Sequence, residues 1–164
     1  MISSNKYRVI YIIGICCVLV PLFYFINIMV NNYHLQKNMS RINCSASFTV
    51  QTEIKTNGLF SLITNGEGHG RIHISALALR PSDNEKFKLL RDIDFEYLYE
   101  GDGYLAMRSL TVSKIASDNM PDDIFNKSIF DVSGNIRRIR ITELKNGYVL
   151  WNAFSPVLIC LQKH

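Results

Sequence analysis

The sequence lacks the short motifs by which many enzymes and nucleotide-binding proteins are recognised. It contains no Gly-x-Ser-x-Gly turn, no glycine-rich phosphate loop and no His-Glu-x-x-His pair, so the common hydrolase and nucleotide sites are not indicated. Internal repeats, low-complexity stretches and Pro- or Gly-rich linkers are also missing. A chain of 164 residues has room for one membrane segment and one ordinary domain. We therefore predict a protein that is not an enzyme and uses no cofactor.

A strong charge of either sign is missing as well. The chain has 18 Lys and Arg residues against 14 Asp and Glu residues, for a formal net charge of +4. Lys6 and Arg8 account for half of that excess, so the remainder of the chain is nearly neutral. Such a balance gives no indication of direct nucleic-acid binding.

Charged residues are absent from residues 9–30, and a bilayer core of about 30 Å needs about 20 apolar residues as a helix. We predict a transmembrane helix there, preceded by a cytoplasmic segment at residues 1–8 and followed by a stalk at residues 31–43. The positive-inside tendency of Lys6 and Arg8 sets this orientation. A cleaved signal peptide is the alternative, but its apolar region is usually about 7–15 residues long and ends in a small-x-small site.

Residues 44–164 are predicted to form the external domain, because apolar and polar residues alternate there with the period of a strand. Thr56-Asn57-Gly58 has the composition of a hairpin turn, and the clearest strand covers residues 87–99, with its apolar face interrupted at Arg91. Residues 118–128 carry the signals of one short helix. The expected class is α+β: one N-terminal transmembrane helix, then a small, mainly antiparallel β periplasmic domain with one short helix.

The four cysteines divide by compartment. Cys16 and Cys17 lie within the predicted span and are interpreted as apolar helix residues, whereas Cys44 and Cys160 bracket the external domain. An oxidising periplasm favours a disulfide bond between the latter two. The alternative is a pair of buried free thiols.

Few side chains are candidates for chemistry. His69 and His73 are four residues apart, but no further Cys or His cluster completes a metal site, so we predict none; a role in sensing mild acid is physically available to them. A row of acids at Asp92, Asp94 and Glu96 resembles the paired carboxylates of some hydrolases. We favour a solvated strand face, with three basic residues available to offset the acids: Lys88, Arg91 and Arg108.

A basic run at Arg137, Arg138 and Arg140 falls on a predicted strand. Charge patterning favours a solvated face over a binding patch at such a run. We therefore predict no catalytic, metal-binding or cofactor-binding residue anywhere in the chain, and only Cys44 and Cys160 as a functional pair.

The order of features along nearly the whole chain resembles the FidL-like family of enterobacterial single-pass membrane proteins. The pieces that carry the resemblance are the span itself and five short stretches: Cys44-Ser45-Ala46, Gly68-His69-Gly70-Arg71-Ile72, Asp94-Phe95-Glu96-Tyr97, Asp118-Asn119-Met120-Pro121-Asp122 and Ser155-Pro156-Val157-Leu158-Ile159-Cys160. The layout is also similar to that of the ToxS and PsaF accessory proteins. This resemblance transfers no catalytic residue.

The resemblance implies an accessory protein of the bacterial inner membrane that binds and stabilises, or modulates, a membrane-bound winged-helix transcription regulator from the periplasmic side. Edge strands and the apolar helix are expected to make that contact by strand addition. Two alternatives remain open. One is a structural or assembly component of an envelope complex, and the other is a periplasmic hydrolase that uses the acids of residues 87–99.

Overall fold

The structure, a computed structural model, describes residues 15–30, 41–152 and 155–163. The chain divides into two compact units, Met1–Asn38 and Met39–His164. In the first unit, α1 covers residues 15–30, and Asn27 Nδ2 donates to the Phe23 carbonyl at 3.0 Å. Among the described residues, no helix combines the length and the apolar character that crossing a bilayer requires.

Several sequence predictions fall on residues outside this description. They are the cytoplasmic segment at residues 1–8, the first part of the expected span at residues 9–14, and most of the stalk, residues 31–40. The proposed division of the chain into these segments stays a prediction.

The second unit is a closed antiparallel barrel of eight strands in simple up-and-down order. The strands are β1 Asn43–Gln51, β2 Lys55–Thr64, β3 His69–Arg80, β4 Glu85–Gly101, β5 Tyr104–Lys114, β6 Ile136–Leu144, β7 Gly147–Trp151 and β8 Pro156–Gln162, with the helix α2 at Asp122–Ser128 between β5 and β6. The predicted class, α+β with a transmembrane helix and a small β domain, is therefore wrong. The eight strands of the second unit form a closed barrel because β8 returns to pair with β1.

Alternation along the strands explains the barrel interior. Every second residue of β4 from Phe87 to Tyr97 is buried, while the residues between them reach solvent. Because direct partners in an antiparallel ladder face the same side of the sheet, the inward residues of neighbouring strands meet in one apolar core. Its largest fully buried side chains are Ile42, Ile54, Leu62, Ile72, Ile74, Leu89, Ile93, Leu105, Met107, Met120, Phe125 and Ile141.

The first hairpin turn differs from the prediction. The chain reverses at residues 52–54, where the Thr52 amide donates to the Ile54 carbonyl at 3.0 Å, and Thr56-Asn57-Gly58 lies within β2. Gly58 stands opposite Ala76 of β3, and a Cβ at Gly58 would collide with the Ala76 side chain. The glycine therefore permits a close approach inside the barrel and forms no turn.

The ladder that closes the barrel is short. β1 and β8 pair only through Cys44 with Gln162 and Ser45 with Leu161, whereas β3 and β4 pair along their whole common length. Among the described residues, the rest of β1 and β8 has no ladder partner across this junction. We call this junction the seam.

Candidate functional site

A disulfide bond crosses the seam. Cys44 and Cys160 are bonded, with their Cα atoms 5.4 Å apart and a sequence separation of 116, and both side chains are fully buried. The disulfide bond favoured by the compartment argument is thus present. It joins β1 to β8 where the ladder has only two residue pairs, beside one further backbone hydrogen bond from the Lys163 amide to the Asn43 carbonyl, and it therefore reinforces the shortest ladder of the barrel.

A cavity of about 300 Å³ lies inside the barrel, on the side of the seam. Phe48 and Val50 of β1 line it from one strand of the seam and Leu158 of β8 from the other, and Ile74 and Met107 are part of its wall. Most of its surface is therefore aliphatic or aromatic. The ladder between β1 and β8 ends before it reaches these lining residues, so the cavity lies behind the unpaired part of the seam.

Arg137 brings a positive charge to this apolar cavity. It stands opposite the fully buried Met107 in the β5–β6 ladder, so its side chain is on the inner face of β6 and lines the cavity. Its Nη1 donates to the Asp131 carbonyl, and its guanidinium lies 4.6 Å from the centre of the Phe130 ring. In the described part of the chain, no carboxylate forms an ion pair with Arg137.

The neighbouring arginines of β6 face outward, as strand alternation requires. Arg138 forms a two-point ion pair with Glu100, at 2.8 and 3.2 Å, and Arg140 lies 5.7 Å from the centre of the Tyr104 ring. The prediction of a solvated basic face therefore fits Arg138 and Arg140 but is wrong for Arg137. The alternation of the run with Ile139 and Ile141 was the available signal.

A second buried arginine lies near the end of the barrel where α2 packs. Arg91 is on the inner face of β4 with a side chain only 2% exposed, and its Nε donates to Asp118 Oδ2 at 3.0 Å. Its Nη2 donates to the Met120 carbonyl at 2.6 Å and pairs with Asp122 at 2.9 Å. The guanidinium also lies 4.3 Å from the centre of the Phe125 ring.

Asp118 is the fully buried partner of this pair. Its carboxylate also accepts hydrogen bonds from the amides of Leu90 and Met120, both at 2.9 Å. Burial alone would raise the pKa of Asp118, but the hydrogen bond and charge of Arg91, together with these two amides, outweigh it and hold that pKa below its usual range. Each charged group of this cluster already has hydrogen-bond and ion-pair partners within the protein. The cluster therefore has a structural role at this end of the barrel.

The structure corrects the role that the sequence suggested for Arg91. We expected it to offset the acids of the outer face of β4, but it points into the barrel. Those acids instead meet partners on the adjacent strands: Asp94 with Arg71 at 2.6 Å, Asp92 with His73 Nδ1 at 2.6 Å, and Glu96 with the Ser109 hydroxyl at 3.3 Å.

The expected solvated face on β4 is therefore present, with different partners. His69 and His73 are both on β3 and share its outer face, and four residues of a strand separate them by about 13 Å. They cannot converge on one ion. Within the residues that the structure describes, no group of three or more His, Cys, Asp or Glu side chains could hold a metal ion.

Comparison with known proteins adds one family. Residues 80–160 match the sequence model of a family described as FidL-like putative membrane protein. This part of the chain is therefore similar to the FidL-like family. No curated protein and no solved structure matches the chain.

The FidL-like segment runs from the last residue of β3 to Cys160. It therefore contains the Arg91 and Asp118 cluster and the inward-facing Arg137. The stretches around Cys44 and Gly68, which also suggested the family, lie outside the matched residues.

Proposed function

We propose that this FidL-like protein is a non-enzymatic accessory protein of the bacterial inner membrane. Its barrel lies in the periplasm and binds the periplasmic domain of a membrane-bound winged-helix transcription regulator, which it stabilises or modulates. The observation that carries the proposal is an apolar surface on the outside of the barrel, across the seam.

This surface, which we call the outer apolar face, consists of Leu59, Ile63, Val157, Ile159 and Leu161. Their side chains are between 49% and 62% exposed, and they belong to the strands β2 and β8.

Small polar residues of β1 connect the two halves of the outer apolar face. Ser45 stands opposite Ser61 of β2 on one side and opposite Leu161 of β8 on the other, and Ser47 stands opposite Leu59. Direct partners face the same side of the sheet, so the surface is continuous from β2 to β8. Because serine side chains are short, the surface does not rise between the apolar side chains. A broad and flat partner surface would fit it.

Exposed apolar patches of this kind mark interaction sites more often than inert surface. Apolar residues at the centre of an interface with a polar rim are the usual arrangement in protein complexes, and Arg71 and Lys163 lie beside this face. The expected mode of contact changes, however. A closed barrel leaves no full-length free edge for strand addition, so we propose that the partner packs on the outer apolar face.

The compartment is also part of the proposal. Disulfide bonds persist in oxidising environments such as the bacterial periplasm and are rare in the cytosol, so the bond between Cys44 and Cys160 supports a periplasmic barrel. The family description supports association with a membrane.

The experiment that tests the proposal is site-specific photo-cross-linking in living cells. A photoreactive residue is placed at Ile159, at the centre of the outer apolar face, and at Thr111, an exposed position of β5, as a matched control. Recovery of a membrane-bound DNA-binding regulator from Ile159 and not from Thr111 is the expected result. Recovery of envelope assembly machinery, or only of a second copy of the chain, from Ile159 would overturn the regulator as partner.

A charge substitution provides the functional readout. Ile159→Glu should leave folding unchanged, because the side chain is exposed, and should lower the cellular level or the output of the regulator. Thr111→Glu should leave both unchanged. Equal behaviour of the two variants would argue against the outer apolar face as the docking surface.

A further inference from the structure

The barrel cavity and Arg137 together have the features of a small-molecule site, which is independent of the proposed docking function. The interior of an eight-stranded barrel is just wide enough to hold side chains or one small ligand. Here about 300 Å³ is left open, at the lower end of the range of about 300–1,000 Å³ for ligand pockets. Part of the interior is therefore not filled by the barrel's own side chains, and the open part is mostly apolar.

The charge of Arg137 determines the polarity of the ligand. Arg91, the other inward-facing arginine, has its charge matched by Asp118 and Asp122, and Arg138 is matched by Glu100. Arg137 has one hydrogen bond to a carbonyl and one aromatic ring, with no ion pair in the described residues.

Asp131 is the acidic residue next to Arg137, and its carboxylate has other partners. Its Oδ1 accepts hydrogen bonds from the Ser133 hydroxyl at 2.6 Å and from the Ser133 amide at 3.0 Å. The Ser133 hydroxyl, the Ser133 amide and, to a lesser extent, the charge of Arg137 hold the pKa of Asp131 below its usual range. Since a guanidinium has five N–H donors, Arg137 keeps donors for an anion in the cavity.

Access to the cavity comes from the seam. The β1–β8 ladder ends at Ser45 and Leu161, and Phe48 and Val50 face the cavity beyond that point from β1 while Leu158 does so from β8. A ligand that enters there breaks no ladder hydrogen bond of the described strands. The disulfide bond keeps the other end of the seam closed.

From this geometry we propose that the barrel binds a single-chain amphiphile with an anionic head, of the fatty-acid type, with its acyl chain in the cavity and its head group on Arg137. A carboxylate accepts two parallel N–H bonds from one guanidinium. An alkyl phosphate shares the anionic head and the apolar chain, and the experiment distinguishes the two sources.

The experiment is a binding titration of the full-length protein with octanoate, decanoate and dodecanoate below their micellar concentrations. Binding is measured by isothermal titration calorimetry, because Trp151, the only tryptophan of the chain, stands opposite the outward-facing Arg140 and reaches the cavity only at its rim. Each added methylene should tighten binding about fourfold until the cavity is full. Decanol should bind at least about tenfold more weakly than decanoate, because a charge-assisted hydrogen bond is lost.

The variants separate this site from non-specific uptake by other apolar parts of the chain. Arg137→Gln should remove the preference for decanoate over decanol, and Arg137→Lys should restore part of it. Arg140→Gln, which removes an outward-facing charge of the same strand, should leave the preference intact. Decyl phosphate that binds more tightly than decanoate by more than about tenfold would assign the site to a phosphate head group and overturn the carboxylate.

Two results would overturn the site itself. One is the absence of any binding heat on titration with dodecanoate. The other is an equal affinity for decanoate and decanol in the unaltered protein, a comparison that needs no variant and so does not depend on how a variant folds. Neither result bears on the outer apolar face, which is tested by cross-linking.

Discussion

Replacing Arg91 by methionine should be among the most destabilising single changes in the barrel. The substitution keeps an unbranched side chain of similar length but removes the guanidinium from Asp118, Asp122 and the Met120 carbonyl. Asp118 would remain fully buried with two amide donors and the half-exposed Lys114 ammonium at 3.7 Å. Its charge would then lie inside the barrel without its direct side-chain hydrogen bond.

The expected magnitude follows from that arrangement. Breaking a buried ion pair by removing one partner costs about 3–5 kcal/mol, and slopes in urea are about 1–3 kcal/mol per molar for small proteins. The midpoint of urea unfolding should therefore fall by roughly 2 M. Asp118→Asn should cost less, about 1–3 kcal/mol, because the amide oxygen can still accept from Arg91 Nε and the Leu90 amide, whereas the Met120 amide, which donates to the other carboxylate oxygen, loses its acceptor.

The assay is equilibrium unfolding in urea, with the disulfide bond oxidised and Trp151 fluorescence as the signal. Arg71→Met is the matched control. Its ion pair with Asp94 has side chains 57% and 44% exposed, and exposed pairs contribute about 0–1 kcal/mol.

A double-mutant cycle of Arg91→Met and Asp118→Asn should give a coupling energy of about 1–3 kcal/mol. If Arg91→Met cost no more than Arg71→Met, or if the two buried substitutions were additive, the account of this cluster would be wrong.

Three further predictions concern other parts of the barrel. Replacing Cys44 and Cys160 together by alanine should lower the free energy of unfolding by about 4–5 kcal/mol in the chain-entropy model, measured by urea unfolding, because the loop closed by the bond is 116 residues long. A Cβ at Gly70 would collide with the Phe95 ring, so Gly70→Val should cost about 1–3 kcal/mol in the same assay. Asp118 has a lowered pKa in the folded state, so its stabilising effect is present above its ordinary value of 3.8 and is lost as the pH falls through the folded value; acid titration of unfolding should show a shallower loss in Asp118→Asn.

The strands could be predicted from the sequence because alternation is a local signal. Alternation from Ile136 to Leu144 predicts a strand, and β6 covers those residues. The composition of Glu100-Gly101-Asp102-Gly103 predicts a turn, and the hairpin of β4 and β5 turns at Asp102 and Gly103, both with positive φ. The helix α2 also ends at Ser128, as predicted.

Closure of the barrel could not be predicted in the same way. It depends on two residue pairs between the first and last strands, and their alternation is the same in an open sheet and in a closed one. Gly58 shows a related difficulty. Its neighbours have turn composition, but Gly58 is needed for its close approach to Ala76 on the adjacent strand β3.

The two inward-facing arginines were missed because they carry charge. Arg91 and Arg137 are charged residues, and patterning arguments place charge on the solvent side. The arginines differ only in what faces them inside the barrel: Asp118 for Arg91 and an open apolar space for Arg137. That difference arises from contacts between residues that are far apart in sequence, so it could not be predicted from the sequence alone.

The position of the disulfide bond has a mechanical consequence. The barrel begins and ends at the same place, where the Lys163 amide donates to the Asn43 carbonyl at 3.0 Å, and the bond joins Cys44 to Cys160 there. A pulling force applied to the two ends of this unit would pass directly through the two sulfur atoms, and the strands between them would carry none of it. The intact bond would therefore protect the barrel from unfolding under such a force. Reduction would allow the 116-residue loop to extend by about 400 Å.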